Sequence, residues 1–187
     1  WDRILPVTVP GTMGEQVVGY RVEVDGRRGL LDPDLQVVVQ PGSVEVDCSP
    51  DAGGACSVVA PDGHADLVQL PQGDVAALPL GFSWVLNAGL VADQPASAPA
   101  PTTRVHSLTT GRTVDLAGPT ACHGVGRLFV SCAGSVVIGA DGERSAFAHV
   151  TAIPDPAGGT AYYWVAAERE QGFLDPDGRW RYRERRS

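Results

Sequence analysis

Cys48-Ser-Pro-Asp-Ala-Gly-Gly-Ala-Cys-Ser-Val-Val-Ala-Pro-Asp-Gly63 is answered further down the chain by Cys122-His-Gly-Val-Gly-Arg-Leu-Phe-Val-Ser-Cys-Ala-Gly-Ser-Val-Val-Ile-Gly-Ala-Asp-Gly142. Matched in order, Cys48, Cys56, Ser57, Val58, Val59, Asp62, Gly63 and Trp84 recur as Cys122, Cys132, Ser135, Val136, Val137, Asp141, Gly142 and Trp164. The offset grows only from 74 residues at the first cysteine to 80 at the tryptophan, as small loop insertions between two copies of one unit would produce. A duplicated unit of short strands and tight turns reads as a repetitive β architecture whose parts stack to share a core.

Composition agrees. The chain has 187 residues, 43% of them hydrophobic, enough for one globular core. Its 23 Gly and 15 Pro are too many for a helical bundle. The expected layout is one all-β domain over 1–187, made of two related units at about 15–92 and 104–187. The Pro/Ala-rich stretch 93–103 joins them, because its prolines exclude a central strand. Lys is absent and Asn87 is the sole Asn, a usage typical of GC-rich bacterial genomes such as those of actinomycetes or their phages.

Local patterning fills in the strands. Tyr20-Arg-Val-Glu-Val-Asp25 alternates, with Tyr20, Val22 and Val24 on one face and Arg21, Glu23 and Asp25 on the other. Apolar runs enter turns of Asp-Gly, Pro-Asp-Gly or Thr-Gly at residues 58–63, 105–111, 136–142 and 172–178. Gly172-Phe-Leu-Asp-Pro-Asp177 echoes Gly29-Leu-Leu-Asp-Pro-Asp34. The reading is 12 to 16 short strands, with one helical turn conceivable over Asp74 to Leu78. The run Thr103-Arg-Val-His-Ser-Leu-Thr-Thr-Gly-Arg-Thr-Val-Asp-Leu116, followed by Gly126-Arg-Leu-Phe-Val130 and Gly134-Ser-Val-Val-Ile-Gly-Ala-Asp-Gly142, resembles the blade rhythm of the quinoprotein-like and WD40-like β-propellers. The resemblance implies a small propeller or propeller-like meander of four blades, two per unit; a tandem β-sandwich is the alternative.

Four cysteines in two close pairs suit within-pair disulfides, Cys48–Cys56 and Cys122–Cys132, each closing a loop of about ten residues and contributing roughly 2 to 3 kcal/mol; four buried free thiols are the alternative. Trp1 is no initiator; read as the residue following a signal-peptidase cut, it agrees with the cysteines in placing the chain outside the cytoplasm. No stretch approaches the roughly 20 apolar residues of a membrane-spanning helix.

Catalytic signals are weak. His64, His106, His123 and His149 form no metal-ligating pair, and no cofactor motif is present. His123 beside Cys122, with Cys132 nearby, suggests a thiol nucleophile, but the matching Cys48 and Cys56 argue for a structural role. Gly81-Phe-Ser83-Trp-Val lacks the closing glycine of a nucleophile elbow. Asp32, Asp34, Asp175 and Asp177 offer oxygens to calcium without the spacing of an EF-hand loop.

The formal net charge is −8, yet residues 179–187 carry five Arg against Glu184. Arg179, Arg181, Arg183, Arg185 and Arg186 are therefore the candidate partner-binding residues, and the tail is the one place where nucleic acid would be attracted. As a strand, the tail would alternatively send Trp180 and Tyr182 into the core and turn its arginines toward the acidic body. The expectation is a non-enzymatic, extracytoplasmic or secreted binding or scaffold module that contacts a protein or a cell-wall glycan and is able to self-associate. The rival is a virion structural protein, a phage tail or capsid decoration component.

Overall fold

The computed structural model describes residues 1–187 apart from 12, 13, 50, 51, 80, 83, 88, 94–101, 119, 134, 157, 158, 186 and 187. Among the described residues the fold is all-β, with 19 strands in five antiparallel sheets. Sheet 1 holds β1 (Arg3–Gly11), β2 (Gly14–Val24), β3 (Arg27–Leu31) and β4 (Val37–Gly42). Sheet 2 holds β5 (Glu45–Cys48), β6 (Ala55–Val59), β7 (Ala65–Gln69) and β8 (Asp74–Ala77). Sheet 3 holds β9 (Trp84–Val85), β10 (Leu90–Ala92), β11 (Thr102–Ser107) and β12 (Thr113–Ala117). Sheet 4 holds β13 (Cys122–Val125), β14 (Phe129–Cys132) and β15 (Val136–Gly139). Sheet 5 holds β16 (His149–Pro154), β17 (Thr160–Ala166), β18 (Glu170–Leu174) and β19 (Trp180–Arg185). Each sheet is a meander whose neighbours in sequence are neighbours in space. That is the arrangement short hairpin turns permit.

The sheets pack in chain order. Val7, Val18 and Leu30 of sheet 1 meet Val46, Val58 and Val68 of sheet 2. Ala55 and Ala65 on the other face of sheet 2 meet Val85 and Val91 of sheet 3. Leu90, Val105 and Leu116 meet Val130 and Ile138 of sheet 4, whose opposite face carries Phe129 and Val137 against Tyr163, Val165 and Leu174 of sheet 5. The three middle sheets therefore bury both faces. Polar ties reinforce the contacts: the Asn87 side chain accepts from the Gly89 and Leu90 N–H groups and donates to the Phe129 carbonyl at 3.1 Å, holding the β9–β10 turn on β14. Ser107 Oγ donates to the Ala140 carbonyl at 2.8 Å across the same junction.

Both expected disulfides are present. Cys48 lies opposite Cys56 on β5 and β6, and Cys122 opposite Cys132 on β13 and β14, with Cα separations of 4.1 and 4.2 Å. So short a separation is typical of directly opposed residues at a non-hydrogen-bonded position of an antiparallel pair. Each bridge clips the first strand of its sheet to the second, facing the preceding sheet's cluster.

Ala92 pairs with Val105 and the Asp93 N–H donates to the Arg104 carbonyl, so the Pro/Ala-rich stretch joins β10 to β11 inside sheet 3. The described residues form five meanders, where four were expected. The cysteine pairs are equivalent in the two places, but Ser57-Val58-Val59 belongs to a second strand, whereas Val136 and Val137 belong to a third. Trp84 begins a sheet and Trp164 sits on a second strand. Asp74 to Ala77 is strand β8, paired with β7, and not a helical turn. The echo of 29–34 in 172–177 is a true structural equivalence, because both segments run from a third strand into the turn before a fourth.

Candidate functional site

The arginine-rich tail is β19, the outer strand of sheet 5, hydrogen-bonded to β18. A register shift between Phe173 and Leu174 places Trp180 opposite Leu174 and Tyr182 opposite Phe173. This bulge inserts one extra residue and so reverses the facing of the residues beyond it. Trp180 packs on the core cluster, whereas Tyr182 stays 55% exposed, so only one of the two expected inward rings goes in. Two of the arginines are engaged within the sheet. Arg181 Nε lies 3.2 Å from the carboxylate of Asp175, and Arg183 pairs with Glu170 while its guanidinium stacks 5.1 Å from the Trp180 ring centre. Arg179 and Arg185 are exposed, and Arg186 lies outside the described residues.

Asp175 is the best-held carboxylate. It is buried, accepts the Arg179 N–H at 2.8 Å and the Asp177 N–H at 3.1 Å, and faces Arg181. The Arg179 N–H bond in particular holds its pKa below the ordinary aspartate value, against the opposing effect of burial. Asp32 likewise accepts the Gln36 N–H of its own turn at 2.7 Å. These carboxylates cap turns.

The thiol reading of Cys132 does not survive, because its sulfur is bonded to that of Cys122. Ser83 lies outside the described residues.

Sequence reading missed a second feature. A cavity of about 510 Å³ opens among Val9 and Pro10 of β1, Gly53 between β5 and β6, Gly126 and Arg127 between β13 and β14, Ala152 and Pro154 of β16, Gly159, Thr160 and Tyr163, and Pro176 between β18 and β19. Four sheets contribute to it, mostly through hairpin tips. Its walls are largely apolar, and its lining residues carry no carboxylate, imidazole or thiol. Tyr163 is buried at its base, with its ring edge-to-face on Phe129 at 5.2 Å. The Tyr163 hydroxyl accepts the N–H groups of Arg127 at 3.0 Å and Leu128 at 3.3 Å, which fixes the turn that carries Arg127. The exposed Arg127 guanidinium has no ion pair among the described residues. Gly126-Arg127 does stand out as a turn in the sequence, but nothing local shows that it meets the β1–β2 and β16–β17 hairpins.

No family model matches the chain, and no curated protein matches it. Among solved structures, an oligogalacturonate lyase in complex with manganese aligns with a TM-score of 0.40 and 14% identity, over 89% of this chain and 61% of that one. The chain therefore spans less than two thirds of that structure's length.

Proposed function

We propose that this is a non-catalytic, extracytoplasmic binding module that receives a short segment of a protein partner in the cavity among its hairpin tips. The single observation that carries the reading is that cavity, of about 510 Å³, walled by Val9, Pro10, Ala152 and Pro154, with Arg127 as its cation and no carboxylate, imidazole or thiol in its lining. Such a site favours an apolar segment bearing a carboxylate, which an unpaired guanidinium would hold through its two-pronged donor face. The two disulfides support an oxidising compartment.

The test is selection of a random heptapeptide library on the oxidised chain, followed by calorimetric titration of the enriched peptides. Peptides combining a carboxylate with apolar neighbours, and weakened about tenfold by Arg127→Glu, are the expected result. Enriched peptides that bind equally to Arg127→Glu and to the cavity-filling Ala152→Trp would sink the proposal.

A further inference from the structure

Sheet 1 carries a second concavity, far more charged than the first. Across its strands Arg3 of β1 lies opposite Glu23 of β2, which in turn lies opposite Arg28 of β3. Arg21, two residues before Glu23, shares that face. These side chains line a pocket of about 280 Å³ together with Leu5 and with Val46 of sheet 2. The alternation read in Tyr20 to Asp25 is therefore real, but its polar side points at sheet 2 and leaves Arg21 and Glu23 half-buried.

Charge balance distinguishes this pocket. Three guanidiniums share it with one carboxylate, a surplus of two positive charges in a chain whose formal net charge is −8. No ion pair or side-chain hydrogen bond engages Arg3, Arg21 or Arg28 among the described residues, although elsewhere Arg104, Arg112, Arg181 and Arg183 each hold an acidic partner. Holding three cations against a single carboxylate is unfavourable in the empty pocket, and an anionic ligand removes that cost.

We propose that Arg3, Arg21 and Arg28 form a binding site for a tetrahedral oxyanion, the phosphate or sulfate ester group of a small ligand. Three forks approaching from three strands match the several oxygens of a tetrahedral group, whereas a carboxylate has only two oxygens to share. The surplus of two charges matches the dianion of a phosphate monoester and exceeds the single charge of a sulfate ester, and Leu5 and Val46 provide an apolar wall for the body that carries it.

The experiment uses the full oxidised chain, with inorganic phosphate and sulfate as probes and sodium chloride at matched ionic strength as reference. Phosphate or sulfate is expected to raise Tm beyond chloride. Arg3→Ala and Arg28→Ala, both at exposed positions, are each expected to weaken the response about tenfold or more without lowering Tm in chloride, since each relieves like-charge repulsion in the empty pocket. Arg21→Lys keeps the charge but loses the fork and serves as the conservative control, with an intermediate loss. Binding of phosphate that strengthens from about pH 6 to about pH 8, against a flat response to sulfate, assigns the site to phosphate esters; preferential sulfate binding assigns it to sulfate esters. Phosphate and sulfate responses equal to chloride, or responses unchanged in both alanine variants, would overturn the proposal.

Discussion

Sheets 1 and 5 solve the same local problem with turns that differ in their fourth and fifth residues. In sheet 1 the third strand enters the turn Asp32-Pro-Asp-Leu-Gln36, and in sheet 5 it enters Asp175-Pro-Asp-Gly-Arg179. The backbone bonds are the same: the first residue's N–H donates to the fifth carbonyl, and the fourth N–H donates back to the first carbonyl, at 3.0 and 3.1 Å in one turn and 2.8 and 2.9 Å in the other. Turns 60–64 and 139–143 repeat the pattern, so this turn is the common connector of the fold. The fourth residue needs positive φ, which Gly178 adopts at 81° and Leu35 at 63°. Glycine reaches that region without steric cost, while leucine carries a Cβ that crowds its own backbone. The two turns show that hydrogen bonding and the Asp-Pro start are enough to form the turn, even around an unfavourable residue.

A second shared glycine marks the crossing into the fourth strand. A Cβ at Gly29 would stand 2.5 Å from the Val39 carbonyl oxygen, and one at Gly172 would collide with the Tyr182 carbonyl group. In both sheets the fourth strand runs with a shifted register and presses its backbone onto the third. The echoed Gly-Leu-Leu-Asp-Pro-Asp and Gly-Phe-Leu-Asp-Pro-Asp segments thus encode a close approach followed by a turn.

The strongest way to break this equivalence is steric. Gly172→Ala is expected to cost about 2 to 3 kcal/mol in urea unfolding and Gly29→Ala somewhat less, since the nearest backbone atom is closer at Gly172; equal and negligible losses would show that the fourth strands simply move aside. The Asp175 turn is expected to respond to pH as well. Because its folded pKa is depressed, Asp175 contributes stability at neutral pH that is lost as pH falls through the carboxylate range toward that lowered value. Asp175→Asn should therefore flatten the acid limb of the stability profile, and an unchanged limb would remove Asp175 as its source.

Exchanging the fourth turn residue is a finer test. Leu35→Gly is expected to stabilise by about 0.5 to 1 kcal/mol and Gly178→Leu to destabilise by about 1, because Leu35 is 58% exposed and little burial is lost. A stability loss for Leu35→Gly would mean that the Leu35 side chain has contacts that matter more than its backbone strain. The smallest effect belongs to Arg183→Ala, which removes an exposed ion pair with Glu170 and the stacking on Trp180, for a loss of no more than about 1 kcal/mol by thermal unfolding.

Legibility follows distance along the chain. Alternation, Asp-Gly turns and cysteines eight and ten residues apart are short-range facts, and the strands and both disulfides could be read from them. The tail was legible as a strand but not in its facing, because the bulge at Arg181 depends on how β19 seats against β18. The cavity was not legible, since Arg127 meets Val9 and Pro154 only after four sheets have stacked. The arginine pocket was half legible: alternation placed Arg21 and Glu23 together, but nothing local shows that their face meets Val46 of sheet 2.

Residue order alone was therefore enough for an all-β chain of hairpins clipped by two local disulfides, because turn chemistry and two-residue periodicity act over a few bonds. How those hairpins divide into five sheets, and which polar face meets a neighbouring sheet, was settled by packing between segments distant in sequence. Similar short strands, such as the one carrying Ser57-Val58-Val59 and the one carrying Val136-Val137, take different places in their meanders because their partners, not their own residues, determine where they sit.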